Sequence, residues 1–137
     1  MVEKIIKTDK EWKQQLTPEQ FHVCRQAGTE PPFSGKFNSF KEKGTFVCVC
    51  CGNPLFNSET KFDSGTGWPS FFDPLSGQSV ELVDDWSMLM RRVEVKCACC
   101  DAHLGHVFDD GPAPTQQRYC MNSLSLEFKE RKGTENF

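Results

Sequence analysis

Four of the eight cysteines form two C-x-x-C pairs, Cys48 with Cys51 and Cys97 with Cys100. Two residues between thiolates make a tight turn that aims both sulfurs at one ion. Two such turns complete a tetrahedral S4 shell with Zn–S distances of ~2.3 Å. Zinc is preferred to iron because nothing else in the chain suggests electron transfer. The paired spacing makes four ordinary buried cysteines the poorer reading. Cys50 and Cys99, inside the two knuckles, are left over and are read as partly buried thiols outside the metal shell. A rival shell of Cys97, Cys100, His103 and His106 also has ligand spacing, but it strands Cys48 and Cys51.

His103-Leu104-Gly105-His106 is the second constellation. On an undistorted strand positions 103 and 106 point to opposite faces. Gly105 can mark a bulge that turns both imidazoles to one pocket; two satisfied structural histidines are the other reading. Cys120 is the third, in Arg118-Tyr119-Cys120-Met121-Asn122. On a strand, Arg118, Cys120 and Asn122 share a face. Arg118 favours the thiolate, the attacking form, and Asn122 can orient a polar group of a substrate. A buried core cysteine is the bland alternative, but Arg and Asn on its own face are not a core pattern. Asp63-Ser64-Gly65-Thr66-Gly67-Trp68-Pro69 is a glycine-rich turn presenting an indole. Such a ring suits a small apolar or sulfur-bearing group, or it packs as plain core.

The elements that must carry these residues are short. Thr17-Pro18-Glu19-Gln20 predicts a helix start with a capping box, within a helical region over 8–28 that includes a shorter helix from Asp9 to Leu16. Phe21 and Cys24 fall at helical spacing and would dock that helix on a sheet. Strands are predicted at 45–49, 79–83, 87–95 and 123–128, where Leu124, Leu126 and Phe128 alternate with Ser123, Ser125 and Glu127. The tail over 129–137 is polar and is expected to fray. Twelve Phe and three Trp against four Ala disfavour a helix bundle and suit strands. The length of 137 residues and the lack of a linker predict a single domain over 1–137.

With 16 basic and 19 acidic residues the net charge is −3, which argues against a nucleic-acid partner. No apolar run of 18 residues or leader-like segment is present, so neither a membrane span nor export is expected. Cysteines in a reducing, cytoplasmic setting are metal ligands or reactive thiols more often than disulfides.

Taken together, these segments resemble the methionine-R-sulfoxide reductases, the MsrB family with its SelR domain. The resemblance runs through Gly28-Thr29-Glu30-Pro31-Pro32-Phe33, both knuckles, Lys61-Phe62-Asp63-Ser64-Gly65, Gly67-Trp68-Pro69-Ser70-Phe71, His103 to Phe108, Asp110-Gly111-Pro112 and Arg118-Tyr119-Cys120. It implies a mainly β fold of two antiparallel sheets, barrel-like, with short N-terminal helices. It implies one structural zinc held by Cys48, Cys51, Cys97 and Cys100, which sets the histidine-containing shell aside. Cys120 sits where the family has its nucleophile. His103, His106, Arg118 and Asn122 take the family's positioning and proton-handling roles, and Trp68 and Phe108 fall on the substrate. The implied substrate is methionine-R-sulfoxide, free or in proteins, and the implied reductant is thioredoxin or a similar thiol. The acting unit is expected to be a monomer.

One position departs from the family pattern. Many members resolve the oxidised nucleophile with a cysteine between the two glycines before Trp68, and here that residue is Thr66. Cys24, late in the N-terminal helix and outside the knuckles, is the expected resolving cysteine, with an external thiol as the alternative. A zinc-ribbon interaction module without chemistry is the rival function.

Overall fold

The computed structural model describes residues 4–87 and 89–130. Two short helices, α1 (Asp9–Gln15) and α2 (Pro18–Arg25), lead into nine strands. Both helices open on complete capping boxes, Thr8 with Glu11 and Thr17 with Gln20, so the first orphan N–H groups are satisfied locally. Trp12, Phe21, Val23 and Cys24 form the buried face. None of the helices of the described residues is long and apolar enough to cross a membrane.

β1 (Gly44–Cys48), β2 (Pro54–Asn57) and β9 (Leu126–Glu130) form a three-stranded sheet in the order β2-β1-β9. The other six are β3 (Lys61–Phe62), β4 (Ser70–Phe71), β5 (Val80–Asp85), β6 (Arg92–Cys97), β7 (His103–Phe108) and β8 (Arg118–Met121). They run in the order β3-β4-β8-β7-β6-β5, and every pairing in both sheets is antiparallel. Aromatic rings join the sheets. Phe56 of β2 stacks on Phe71 of β4 at 4.4 Å, and Phe46 of β1 meets Phe71 at 5.1 Å and Phe128 of β9 at 5.1 Å. A phenylalanine-rich, isoleucine-poor composition thus fills one core by edge and stacked contacts.

Two expected strands are corrected. The strand over 87–95 begins only at Arg92, the partner of Asp85 at the end of β5; Leu89, between them, is left-handed at φ 63° and belongs to the hairpin connection. Met88 lies outside the described residues. The strand over 123–128 begins at Leu126, because Ser123–Ser125 is a 3-10 turn. Ser123 and Ser125 are buried there: the Ser123 hydroxyl accepts from Phe37 N–H, and the Ser125 hydroxyl donates to the His103 carbonyl. Serines satisfied in this way override the period-two pattern. The tail, expected to fray from Lys129, is still paired at Lys129 and Glu130; residues 131–137 lie outside the described residues.

Candidate active site and metal centre

The two knuckles are built alike. Each follows a strand and closes by a backbone bond back to its first cysteine, Gly52 N–H to Cys48 O at 2.8 Å and Asp101 N–H to Cys97 O at 2.9 Å. The residue after each second cysteine is left-handed, Gly52 at φ 78° and Asp101 at φ 64°, and Gly and Asp are among the residues that tolerate this. The fold brings the knuckles together. The four sulfurs of Cys48, Cys51, Cys97 and Cys100 lie within 4.8 Å of one another, with Cys48–Cys100 at 3.7 Å and Cys51–Cys97 at 3.6 Å. A tetrahedron with Zn–S of ~2.3 Å has an edge of ~3.8 Å, so the donor set fits one ion. Asn53 Nδ2 donates toward Cys97 Sγ at 3.6 Å. Arg25 donates to the Cys100 carbonyl at 3.0 Å while lying over the Trp12 ring at 4.5 Å. The α1–α2 pair is therefore tied to the four-cysteine cluster.

The histidines are not part of that cluster. Opposite β6, Gly105 pairs with Val95 but His103 pairs with Lys96, so Leu104 is one residue too many on β7. This bulge resets the alternation and places His103 and His106 on one face, their rings 5.4 Å apart. Gly105 is required for a second reason: a Cβ there would meet the Cys120 carbonyl oxygen at 2.0 Å.

On that face, β8 brings Cys120 directly opposite His106, and β4 brings Ser70 opposite Cys120. A cavity of about 240 Å³ opens over them. Cys120, His106 and Arg118 form its polar wall, Trp68 and Phe108 its aromatic wall, and Thr29, Thr66, Arg92, Gly105 and Asn122 complete it. A larger cleft of about 500 Å³ between segments 38–43 and 58–63 contains neither thiol nor imidazole.

Each predicted side chain has a defined setting. The Trp68 indole N–H donates to the Glu30 carbonyl at 2.9 Å, which fixes the ring at the cavity wall. Arg118 lies 4.5 Å over the Phe108 ring and forks onto both oxygens of Asp110, at 2.8 and 3.1 Å. Asn122 is buried; its amide accepts from Glu30 N–H and donates to the Leu104 carbonyl, so both ends serve the walls. Burial pushes the Cys120 thiol above the ordinary cysteine range, and the Arg118 guanidinium and the Thr66 hydroxyl beside it only partly offset this. The thiolate-stabilising effect expected of Arg118 is present but outweighed.

The histidines bring in residues that sequence reading missed. Glu94 Oε2 lies 2.6 Å from His103 Nδ1, and Asp85 Oδ2 lies 2.8 Å from His106 Nε2. Bonds from Ser87 N–H and from His106 hold the Asp85 carboxyl well below the usual carboxylate range. An ionised carboxylate only accepts, so His106 Nε2 carries the proton and Nδ1 is the nitrogen left to accept one. His103 is buried outside the cavity lining; desolvation lowers its pKa against the opposing pull of Glu94. Glu30 is the third omission. Its N–H, carbonyl and carboxylate hold Asn122, Trp68 and the Leu124 N–H respectively. Strand parity across β6 could have found Glu94; Asp85 and Glu30 reach the site only through folding.

Cys24 is not brought to Cys120. It is 2% exposed, touches the Ser125 hydroxyl at 3.7 Å and faces Cys50 within the first cysteine knuckle. Thr66, in contrast, stands against the Cys120 thiol, with its hydroxyl 2.8 Å from that of Ser64.

A family model described as the SelR domain matches residues 16–130. A peptide methionine sulfoxide reductase MsrB of Methanosarcina barkeri is 57% identical over 137 residues, covering 98% of this chain and 96% of that protein. The protein of the same name from Hahella chejuensis is 56% identical over 132 residues, covering 96% and 95%. That of Pseudomonas putida is 58% identical over 132 residues, covering 96% and 99%.

Proposed function

The chain belongs to the SelR-domain family of peptide methionine sulfoxide reductases, and from that membership we propose how its own residues reduce a methionine sulfoxide, in the R configuration, and which of them do so. The observation that carries the reading is the half-buried thiol of Cys120 set opposite His106 at the floor of an aromatic-walled cavity.

Trp68 and Phe108 receive the apolar methyl and methylene groups on either side of the sulfoxide sulfur. The Cys120 sulfur attacks that sulfur. The thiol proton, held by the raised pKa of the buried group, passes to the sulfoxide oxygen with His106 Nδ1 as the relay. The attack forms an S–S bond from Cys120 to the substrate as the protonated oxygen leaves as hydroxide. Hydroxide then attacks the Cys120 sulfur and breaks that S–S bond, so methionine departs as the thioether with the bonding pair and Cys120 is left as a sulfenic acid. Arg118, braced by Asp110, favours the negative charge that develops on sulfur. Asp85 fixes the His106 tautomer, while His103, Glu94, Asn122 and Glu30 hold the surrounding frame.

A thiol then attacks the sulfenic acid, releasing water and leaving a mixed disulfide that a second thiol reduces. Thioredoxin or a similar dithiol is the proposed reductant. Cys24 reaches Cys120 only if α2 opens from the core, so an incoming external thiol is the direct route. Zinc is the proposed metal: Cys48, Cys51, Cys97 and Cys100 would hold it, and its four thiolate bonds would clamp the knuckles rather than act in the reaction.

The test is a burst experiment without reductant. One methionine per chain is expected from the R epimer and none from the S epimer. Cys120→Ser is expected to abolish the burst with fold and metal retained; a burst from that variant overturns the assignment.

A further inference from the structure

The hairpin joining β5 to β6 holds apolar side chains out in water. Trp86 is 62% exposed, Leu89 99% and Met90 67%. The turn is closed by Leu89 N–H to Trp86 O at 3.3 Å and Ser87 N–H to Asp85 Oδ1 at 2.9 Å. Ion pairs pin its base, Arg91–Asp84 at 2.8 Å and Arg92–Asp85 at 3.3 Å. Leu89 has φ 63°, a region that bulky L residues rarely adopt. Asparagine or glycine would fill that position without strain and without exposing an apolar side chain. Folding gains nothing from this leucine, and such an outlier points to use rather than to packing.

The hairpin is continuous with the catalytic cavity. Asp85 at the end of β5 meets His106, and Arg92 at the start of β6 lines the cavity. The cross-strand row Cys120, His106, Glu94, Val83 crosses four strands to the same edge, where Val83 is 40% exposed.

We propose that this hairpin is a docking surface for the oxidised polypeptide, taking the apolar side chains that flank the methionine sulfoxide. It rests on the reductase reading above. Methionine is mostly a core residue, so the residues that share its face, two positions away on a strand and three or four on a helix, are often apolar. Oxidation turns the thioether into a polar sulfoxide, disrupts the packing and leaves the segment exposed. Sulfoxide and apolar flanks therefore arrive together. With the sulfoxide in the cavity, an extended chain at ~3.3 Å per residue carries its flanks past the hairpin within a few residues. Free methionine sulfoxide has no flanks and gains nothing from this surface.

The test compares the parent chain with a variant combining Trp86→Ser, Leu89→Asn and Met90→Ser, none of which lines the cavity. Dithiothreitol serves as reductant. The substrates are free methionine-R-sulfoxide and two unstructured peptides with one methionine-R-sulfoxide each, flanked by Leu and Val or by Ser and Gly. The variant is expected to raise KM for the Leu/Val peptide about tenfold, equivalent to ~1.4 kcal/mol, with kcat and the other two substrates unchanged. Should the triple variant unfold, Leu89→Asn alone, which relieves the backbone strain, reads the same split in smaller measure. Equal behaviour of both peptides in parent and variant overturns the proposal. So does a change confined to oligomeric state in sedimentation, which would make the patch an interface between copies. The assay is repeated with thioredoxin in place of dithiothreitol, and a loss confined to that arm also overturns the proposal, by making the patch a reductant site. If the parent reduces none of the three substrates, the reductase reading itself falls, and the docking proposal with it.

Discussion

Asp85 Oδ2 lies 2.8 Å from His106 Nε2, although the two residues stand on strands separated by β6. The contact fixes which imidazole nitrogen can accept a proton, and it ties the hairpin to the cavity that His106 lines. Its pH dependence has a definite sign. The folded-state pKa of Asp85 is lowered, so its stabilisation is full above the unfolded value of ~3.9 and is lost as pH falls toward the folded value. Asp85→Asn is therefore expected to be less stable than the parent at neutral pH, with the difference shrinking as pH drops below ~4. Thermal melts at stepped pH measure this; a difference constant down to strongly acid pH refutes it.

The Cys120 thiol is held above the ordinary cysteine range by burial, while Arg118 pulls it down and the Glu30 carboxylate pushes it up. Alkylation of Cys120 should therefore accelerate only at alkaline pH. Arg118→Ala is expected to move the midpoint higher and Glu30→Gln lower. Shifts of the same sign in both variants would show that the charges do not act on the thiol.

His106 lines the cavity and His103 lies behind it. His106→Ala is expected to lower the single-turnover rate by about 10²–10⁴-fold, the usual worth of a positioned proton relay. His103→Ala should lower the rate less and the melting temperature more, because it leaves Glu94 without its imidazole partner at 2.6 Å. Equal rate losses would place both histidines in proton transfer.

Removing the proposed zinc should loosen the knuckles and the α1–α2 pair that Arg25 ties to them. Chelation, or Cys48→Ser or Cys100→Ser, is expected to lower the melting temperature by about 10 °C or more, since several kcal/mol of metal binding are coupled to folding. Full stability without metal would refute a structural role.

Thr66 stands against the thiol where Cys24 does not. Thr66→Cys is expected to give an intramolecular disulfide with Cys120 after one turnover, detected by mass spectrometry. Cys24→Ser should leave thioredoxin-driven cycling intact. Loss of cycling in Cys24→Ser would establish that α2 opens and that Cys24 resolves.

The chemistry of the parts was legible in the chain itself. The C-x-x-C spacing specifies two chelating turns, T-x-x-E and T-P-E-Q specify two helix starts, and R-Y-C on a strand puts Arg118 beside Cys120, because each depends on residues a few positions apart. What those parts meet was decided by the tertiary structure. The bulge that puts His103 and His106 on one face exists only relative to β6, the raised pKa of Cys120 comes from burial by distant segments, and Glu30 and Asp85 reach the site across 92 and 21 positions of sequence. Cys24 shows the same division. Its helix was readable, but its neighbour is Cys50 rather than Cys120, because α2 packs on the cysteine knuckles. Local spacing fixes turns and caps; register, burial and long-range pairing arise only when the sheets close around a shared core.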